Sequence, residues 1–399
     1  MSIQSLSVSS LPHIRPQFLS YHVPSIGEEE IRSVVETLRS GWLTTGAKVK
    51  QFEQDFSAKV GAQHAVALNS CTAALHLALE AVGVKDGDEV IVPTMTFAAT
   101  GEVVTYLGAK PILIDCRPDD LTLDVAQIEK LITPRTKAII PVHFAGHPCE
   151  MIPLMELAKA YNLRVIEDAA HALPAWYQGV QVGSIGDITC FSFYATKTIT
   201  TGEGGMATTQ NETWADKMRM MSLHGISRNA WSRYSANGSW SYDICHAGHK
   251  YNLTDLAASL GIEQLKKCDQ FQKTREQYAG LYNQGFKDLP EIIRPSVADN
   301  VQHAWHLYVI QLDVERLRIG RNEFIEILKN YNIGTSVHFI PLHLHPYYRQ
   351  TFGYQPEDFP NARACFERII SLPIYPKMTE ADIEYVIEVV REIIRTYRR

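Results

Sequence analysis

The sequence predicts an α/β protein, with a large domain built on a mostly parallel sheet sandwiched by helices plus a smaller C-terminal α/β domain. Three observations carry that expectation. Between about residues 65 and 210 short β-branched runs alternate with helical stretches, the pattern of a parallel sheet covered on both faces. The chain has 399 residues, 45% hydrophobic and 21% charged, an ordinary globular composition at a length beyond one core. From Tyr251 a long helical pattern leads away from the sheet into a second alternation of strands and helices. Residues 1–20 are expected as an N-terminal tail, 21–265 as the large domain and 266–399 as the small one.

Each element follows from its residues. The start, MSIQSLSVSSLPHIRPQ, is Ser-rich without the apolar core of a secretory signal, and reads as a disordered or loosely docked tail. Strands are expected at 65–70, 88–93, 111–116, 138–144, 164–168, 188–193 and 205–209. Between them TAALHLALEAVG and MIPLMELAKAYN set apolar residues three and four apart, as amphipathic connecting helices do. Residues 225–250, rich in Trp, Tyr, Ser, Gly and Arg without periodicity, are expected to form a long loop. YNLTDLAASLGIEQLKKCDQFQKTREQYAGLYNQGF predicts a long helix, and HLYVIQLD and TSVHFIPL read as strands. The final helix carries Ile383, Val386, Ile387, Val390 and Ile394 in one stripe behind a Thr379/Asp382 capping box.

The net charge of −6 gives no electrostatic reason for a nucleic-acid or anionic-membrane partner, and no run of about 18 apolar residues is present. Seven cysteines, scattered and without a C-x-x-C pair, argue against a disulfide framework or a zinc site and fit a reducing cytoplasm. His338, His343 and His345 lack accompanying acidic or Cys ligands; they and Cys245, His246 and His249 are discounted, so no metal site is expected. No P-loop, G-x-G-x-x-G fingerprint or G-x-S-x-G elbow appears.

The strongest chemical signal is EDAAHA (167–172) followed by CFSFYATKTITTGEGGMATT (190–209): an acid at a strand end ahead of a lysine in a Gly-rich connection. Open parallel sheets bind ligands at such ends. Pyridoxal phosphate (PLP) needs an amine for its aldehyde and a carboxylate to keep its pyridine nitrogen protonated, roles that Lys197 and Asp168 suit. A lysine is ordinarily a solvated surface charge; Phe191, Phe193, Tyr194 and Ile199 around Lys197 point the other way. In NSCTAALHLAL (69–79) a strand end meets a helix start, where Thr72 and Ala73 could hold a phosphate on free N–H groups. Ordinary helix capping by Ser70 or Thr72 is the alternative there.

These stretches, with SGWLTTGAKVKQFE (40–53), DEVIVPTMTFAAT (88–100), IPVHFAGHP (140–148), YNLTDLAASLGIEQL (251–265) and GTSVHFIPLHLHPYY (334–348), resemble the DegT/DnrJ/EryC1/StrS family of PLP-dependent sugar aminotransferases, nearly end to end. The resemblance implies the PLP-dependent transferase fold type I, of the aspartate-aminotransferase kind. It implies that Lys197 carries the cofactor as an aldimine and shuttles the proton, and that Asp168 pairs with the pyridinium. It further implies His171 near the ring hydroxyl, Phe97 stacked on the ring, Thr72, Ala73 and Ser192 on the phosphate, and Asn252 on the phosphate of a neighbouring subunit's cofactor in a homodimer. The implied reaction is ping-pong transfer of an amino group from L-glutamate, through pyridoxamine phosphate, to a nucleotide-linked keto sugar, a 4-keto hexose or pentose on UDP, dTDP or GDP. The implied setting is cytoplasmic, in cell-surface polysaccharide synthesis.

For the sugar nucleotide, Arg228 and Arg233 could meet the diphosphate and Trp231 the base or sugar; packing at a dimer interface uses the same residue types. The alternatives to transamination are a sugar dehydratase, whose relatives replace the lysine by histidine, and a non-catalytic regulator on the same fold. Retention of Lys197, Asp168, Thr72, Ser192 and Asn252 weighs against both.

Overall fold

A computed structural model describes residues 13–227 and 242–399. Its centre is a seven-stranded sheet in the order His64–Leu68, Gly205–Thr209, Ile188–Ser192, Arg164–Asp168, Thr136–Ile139, Glu89–Pro93, Lys110–Ile114. Gly205–Thr209 runs antiparallel to both its neighbours; the other pairings are parallel. Alternate residues of each strand enter different cores. Val66 and Leu68 pack with Leu75 and Leu79 of the helix Cys71–Ala81, whereas Ala65 and Ala67 pack with Phe52 and Phe56 of the helix Ala47–Val60. At the far side Ile91, Ile139 and Val165 meet Met151 and Leu154 of the helix Met151–Ala160. Burial on both faces is why these strands read as continuous apolar runs.

The helix Asp255–Gly285 has 31 residues, so it is about 46 Å long. Ile262 and Leu265 near its start join the core of the large sheet, and Tyr278 and Tyr282 near its end join a second core. The second core surrounds the antiparallel sheet Ile292–Ile293, Tyr308–Leu312, Ile369–Leu372. It is closed by Phe324 of the helix Arg321–Asn330 and by Ile383, Val386, Val390 and Ile394 of the helix Glu380–Tyr397. Thr379 and Asp382 form the capping box that the sequence calls for. Among the described residues no helix is long and apolar enough to cross a membrane.

Two expected strands differ from the sequence reading, and two non-helical segments carry contacts it did not specify. The strand expected over 138–144 ends at Ile139; Pro141 has no N–H, and the chain turns through Ala145 at φ 57°. TSVHFIPL is not a strand: only Ser336 pairs, with Ser371, and Pro341 within it has no N–H to give a ladder. Of the expected tail, His13–Ser20 is docked, with Leu19 buried and bridged to Ile333 and Arg15 2.7 Å from Asp382. The expected loop has a paired base, Leu223 with Lys250 and Ile226 with Ile244; residues 228–241 lie outside the described residues.

One contact ties the two long helices of the large core together. Gly46, which caps Ala47–Val60, has no side chain to cap with, and Asp255 does so from the next helix, accepting from Val49 N–H at 2.9 Å and Lys48 N–H at 3.2 Å. Asp255 is buried, so Asp255→Ala leaves those donors unpaired and should lower unfolding free energy by about 1–3 kcal/mol in urea titrations. Asp255→Asn, which keeps an acceptor, should lose less.

Candidate active site

The register of the sheet brings the chemical residues to one edge. Leu68 pairs with Gly205 and Gly205 with Ser192, while Asp168 pairs with Cys190. The carboxyl ends of three parallel strands therefore open on one cavity of about 420 Å³. Lys197, Asp168, Thr72, Phe97, His171 and Ser192 all line it. They come from four separate connections at strand ends, Asp168 with His171 and Ser192 with Lys197 sharing one each, and the sheet makes them neighbours.

Asp168 is buried and accepts from Thr100 Oγ1 at 2.8 Å and from Ala170 N–H at 3.1 Å. Burial raises its pKa, against the pull of those two donors and of Lys197. Burial likewise lowers Lys197 to about 8, partly offset by Cys71 and Asp168. His171 is pushed well below the usual range by burial and then by Lys197, so it is a neutral imidazole. Its Nδ1 is buried without a hydrogen-bond partner.

The helix Cys71–Ala81 starts at the cavity. Ser70 caps it by accepting from Ala73 N–H at 3.0 Å. Ala73 does not line the cavity: its amide is taken by the cap and its methyl lies in the apolar core, whereas Cys71 and Thr72 face the cavity. Opposite them the GEGG segment comes so close that a Cβ on Gly205 would sit 2.4 Å from the carbonyl carbon and oxygen of Ser70. Phe97 is 61% exposed, with its ring centroid 5.9 Å from that of Phe339.

Of the remaining sequence candidates, some lie within the described residues and others outside them. Asn252 donates through Nδ2 to Thr45 Oγ1 at 2.7 Å and does not line its own chain's cavity. Arg228, Trp231 and Arg233 lie outside the described residues. The three histidines of 338–345 part company: His338 lines the cavity and pairs with Ser371 Oγ at 2.8 Å, while His343 Nδ1 shares a 2.7 Å hydrogen bond with Thr94. The cavity also holds Tyr21, His22 and His306, which sequence reasoning missed. The rings of His171 and His306 are 4.5 Å apart. Burial lowers His338 to about 4 and His22 to about 3, with Lys197 adding to both.

A half-buried lysine and a buried aspartate beside a helix start suit a phosphorylated, aldehyde-bearing cofactor, and the family comparison agrees. The model of the DegT/DnrJ/EryC1/StrS aminotransferase family matches residues 24–391. The chain belongs to that family. It is 55% identical to an uncharacterised protein of Methanocaldococcus jannaschii over 385 residues, 96% of this chain and all of that one. It is 53% identical to the spore coat polysaccharide biosynthesis protein SpsC of Bacillus subtilis over 382 residues, 96% of this chain and 98% of that one. A putative sugar aminotransferase from Streptococcus pneumoniae in its PMP form superposes with a TM-score of 0.88 at 36% identity, covering 95% and 99% of the two chains; its PLP form gives 0.87.

The lowered pKa of Lys197 has a consequence for stability. Between about 8 and 10.5 the unfolded lysine is protonated and the folded one is not, so stability rises with pH across that window. Below it the buried charge costs up to about 3 kcal/mol. Cofactor-free Lys197→Met should therefore be more stable than the cofactor-free wild type at pH 7, by an amount that shrinks as pH rises through that window. Urea titrations at several pH values check this; equal stability at pH 7 would mean that Lys197 is solvated.

Proposed function

We propose that this chain is a PLP-dependent aminotransferase that moves an amino group from L-glutamate to a nucleotide-linked keto sugar, a 4-keto hexose or pentose. The observation that carries the reading is the meeting of Lys197, Asp168, the unpartnered Nδ1 of His171 and the helix start at Cys71–Thr72 around one cavity. These groups fit PLP part by part: an amine for the aldehyde, a carboxylate for the ring nitrogen, an imidazole for the ring hydroxyl, and N–H groups with Ser192 for the phosphate. Bound there, PLP would supply an electron sink for bonds at the donor Cα and the acceptor carbonyl carbon.

The chain's own residues do the rest. Asp168 keeps a proton on the ring nitrogen, which its raised pKa favours sharing. Lys197, lowered to about 8, is about one-tenth unprotonated at pH 7; it anchors the cofactor and, when released, takes a proton from the donor Cα and returns one to the sugar carbon. Phe97 covers one face of the ring. Glutamate and sugar occupy the same cavity in turn, which makes the kinetics ping-pong.

The chain acts as a homodimer in the cytoplasm in this reading, with Asn252 reaching a phosphate across the interface. Exposed apolar side chains near the cavity and the loop base support an interface: Phe97, Tyr194 at 47% and Ile244 at 69% exposure. The 53% identity with SpsC, named for spore coat polysaccharide biosynthesis, supports a pathway to cell-surface polysaccharide.

Purified protein should carry a visible cofactor band that fades on L-glutamate and returns with one member of a panel of nucleotide-linked 4-keto sugars. Lys197→Ala should bind the cofactor without that band and lose turnover; undiminished transamination by this variant would overturn the proposal. Arg228→Ala and Arg233→Ala should raise KM for the sugar nucleotide more than for glutamate in steady-state assays, and an equal rise for both would remove these arginines from the acceptor site.

A further inference from the structure

The helix Cys71–Ala81 carries His76 and Glu80 four residues apart, and residues at that spacing share a face. His249, on the return arm of the segment 225–250, lies against them. Its Nε2 is 3.5 Å from Glu80 Oε2, and its ring centroid is 4.8 Å from that of His76. One ligand atom from each of the three residues lies within 4.8 Å of the other two. Among the described residues this is the one such group.

Two features set the cluster apart from an ordinary ion pair. Glu80 Oε2 is buried yet takes no hydrogen bond, which a carboxylate oxygen rarely tolerates. His76 is 5% exposed, and its Nδ1 is 3.2 Å from Tyr251 Oη, which leaves Nε2 for a further partner. A histidine that binds metal through one nitrogen commonly gives the other to such a hydrogen bond.

We propose that His76, Glu80 and His249 form a site for a divalent transition metal, Zn²⁺ by ligand type, that fastens the return arm of segment 225–250 to the helix whose start lines the active-site cavity. Two imidazoles and one carboxylate are a set that zinc takes with water in the fourth position, while the imidazoles disfavour calcium and magnesium. On zinc the ligand atoms would draw in to about 3.3 Å from one another. Glu80 and His249 have side-chain exposures of 24% and 30% and the freedom to make that adjustment.

The test is titration of chelator-treated, untagged full-length protein with Zn²⁺ alone, followed by calorimetry and by thermal unfolding. One Zn²⁺ per chain and a Tm that rises with Zn²⁺ are expected. Glu80→Gln and His249→Phe should each weaken binding by at least about 100-fold, and Tyr251→Phe by about 10–100-fold, as loss of a ligand's hydrogen-bond partner does. Glu80→Gln changes one atom at a partly exposed position, so it reports on the metal even if His249→Phe folds poorly. No binding in the micromolar range, or binding that Glu80→Gln and Tyr251→Phe leave unchanged, would overturn the site.

Discussion

Gly205 passes so near Ser70 that the site depends on a hydrogen atom where any other residue would place carbon. Without a Cβ, the strand Gly205–Thr209 can pair with Leu68 on one side and Ser192 on the other at the very edge of the sheet. The helix start at Cys71, the Ser192 hydroxyl and the connection to Lys197 are thereby brought over the same opening. That connection is closed on itself: Phe193 N–H donates to Gly204 O at 2.9 Å, Thr200 Oγ1 to Phe193 O at 2.9 Å, and Lys197 N–H to Tyr194 O at 2.9 Å. Lys197 sits on a short, internally bonded loop, which holds a reactive amine better than a free one.

Burial sets the charges. It pushes Lys197 down and Asp168 up, and each partly restores the ionised form of the other. The imidazoles around them stay neutral for the same reason, so the wall is polar without adding charge. Arg275 supports this wall from behind. Fully buried on the long helix, it donates through one nitrogen to Trp305 O at 3.1 Å, His306 O at 3.3 Å and Ile374 O at 2.7 Å. It thereby fixes the backbone that presents His306 and Ile374, and its charge helps keep His22 and His306 unprotonated.

The parallel sheet and its connecting helices were legible because burial on both faces leaves long apolar runs between helical patterns. Asp168, Lys197, Thr72, Phe97, His171 and Ser192 were legible because each lies within a few residues of a strand's carboxyl end. Tyr21, His22 and His306 were not, since they come from segments far from the sheet in the chain that reach it only through tertiary contacts, such as Leu307 N–H on Ala145 O. At Ala73 helix capping competes with ligand binding: Ser70 takes its amide, and the cavity-facing residues of the first turn are Cys71 and Thr72. In TSVHFIPL the alternation of apolar and polar residues is real, but Pro341 and a single paired residue, Ser336, leave no ladder to extend. His249 offered no usable signal, because its partners lie more than 160 positions away in the chain.

The helix Cys71–Ala81 joins these themes. Its first turn faces the cavity through Cys71, Thr72 and Leu75, while His76 and Glu80 face the return arm of the segment that follows Leu223. Lys217 Nζ donates to Glu80 O at 2.6 Å, a carbonyl near the helix end that also accepts from Gly83 N–H at 3.2 Å. Eight residues separate Thr72 from Glu80, about 12 Å along a rigid rod, packed on one side by strand residues that are wholly buried. Such a rod cannot bend to absorb a shift at one end. Whatever fixes Glu80 and His249 against each other therefore also fixes the helix start relative to Ser192 and Gly205, and the arm that carries Lys250 and Asn252 is positioned by the same element whose first turn lines the cavity.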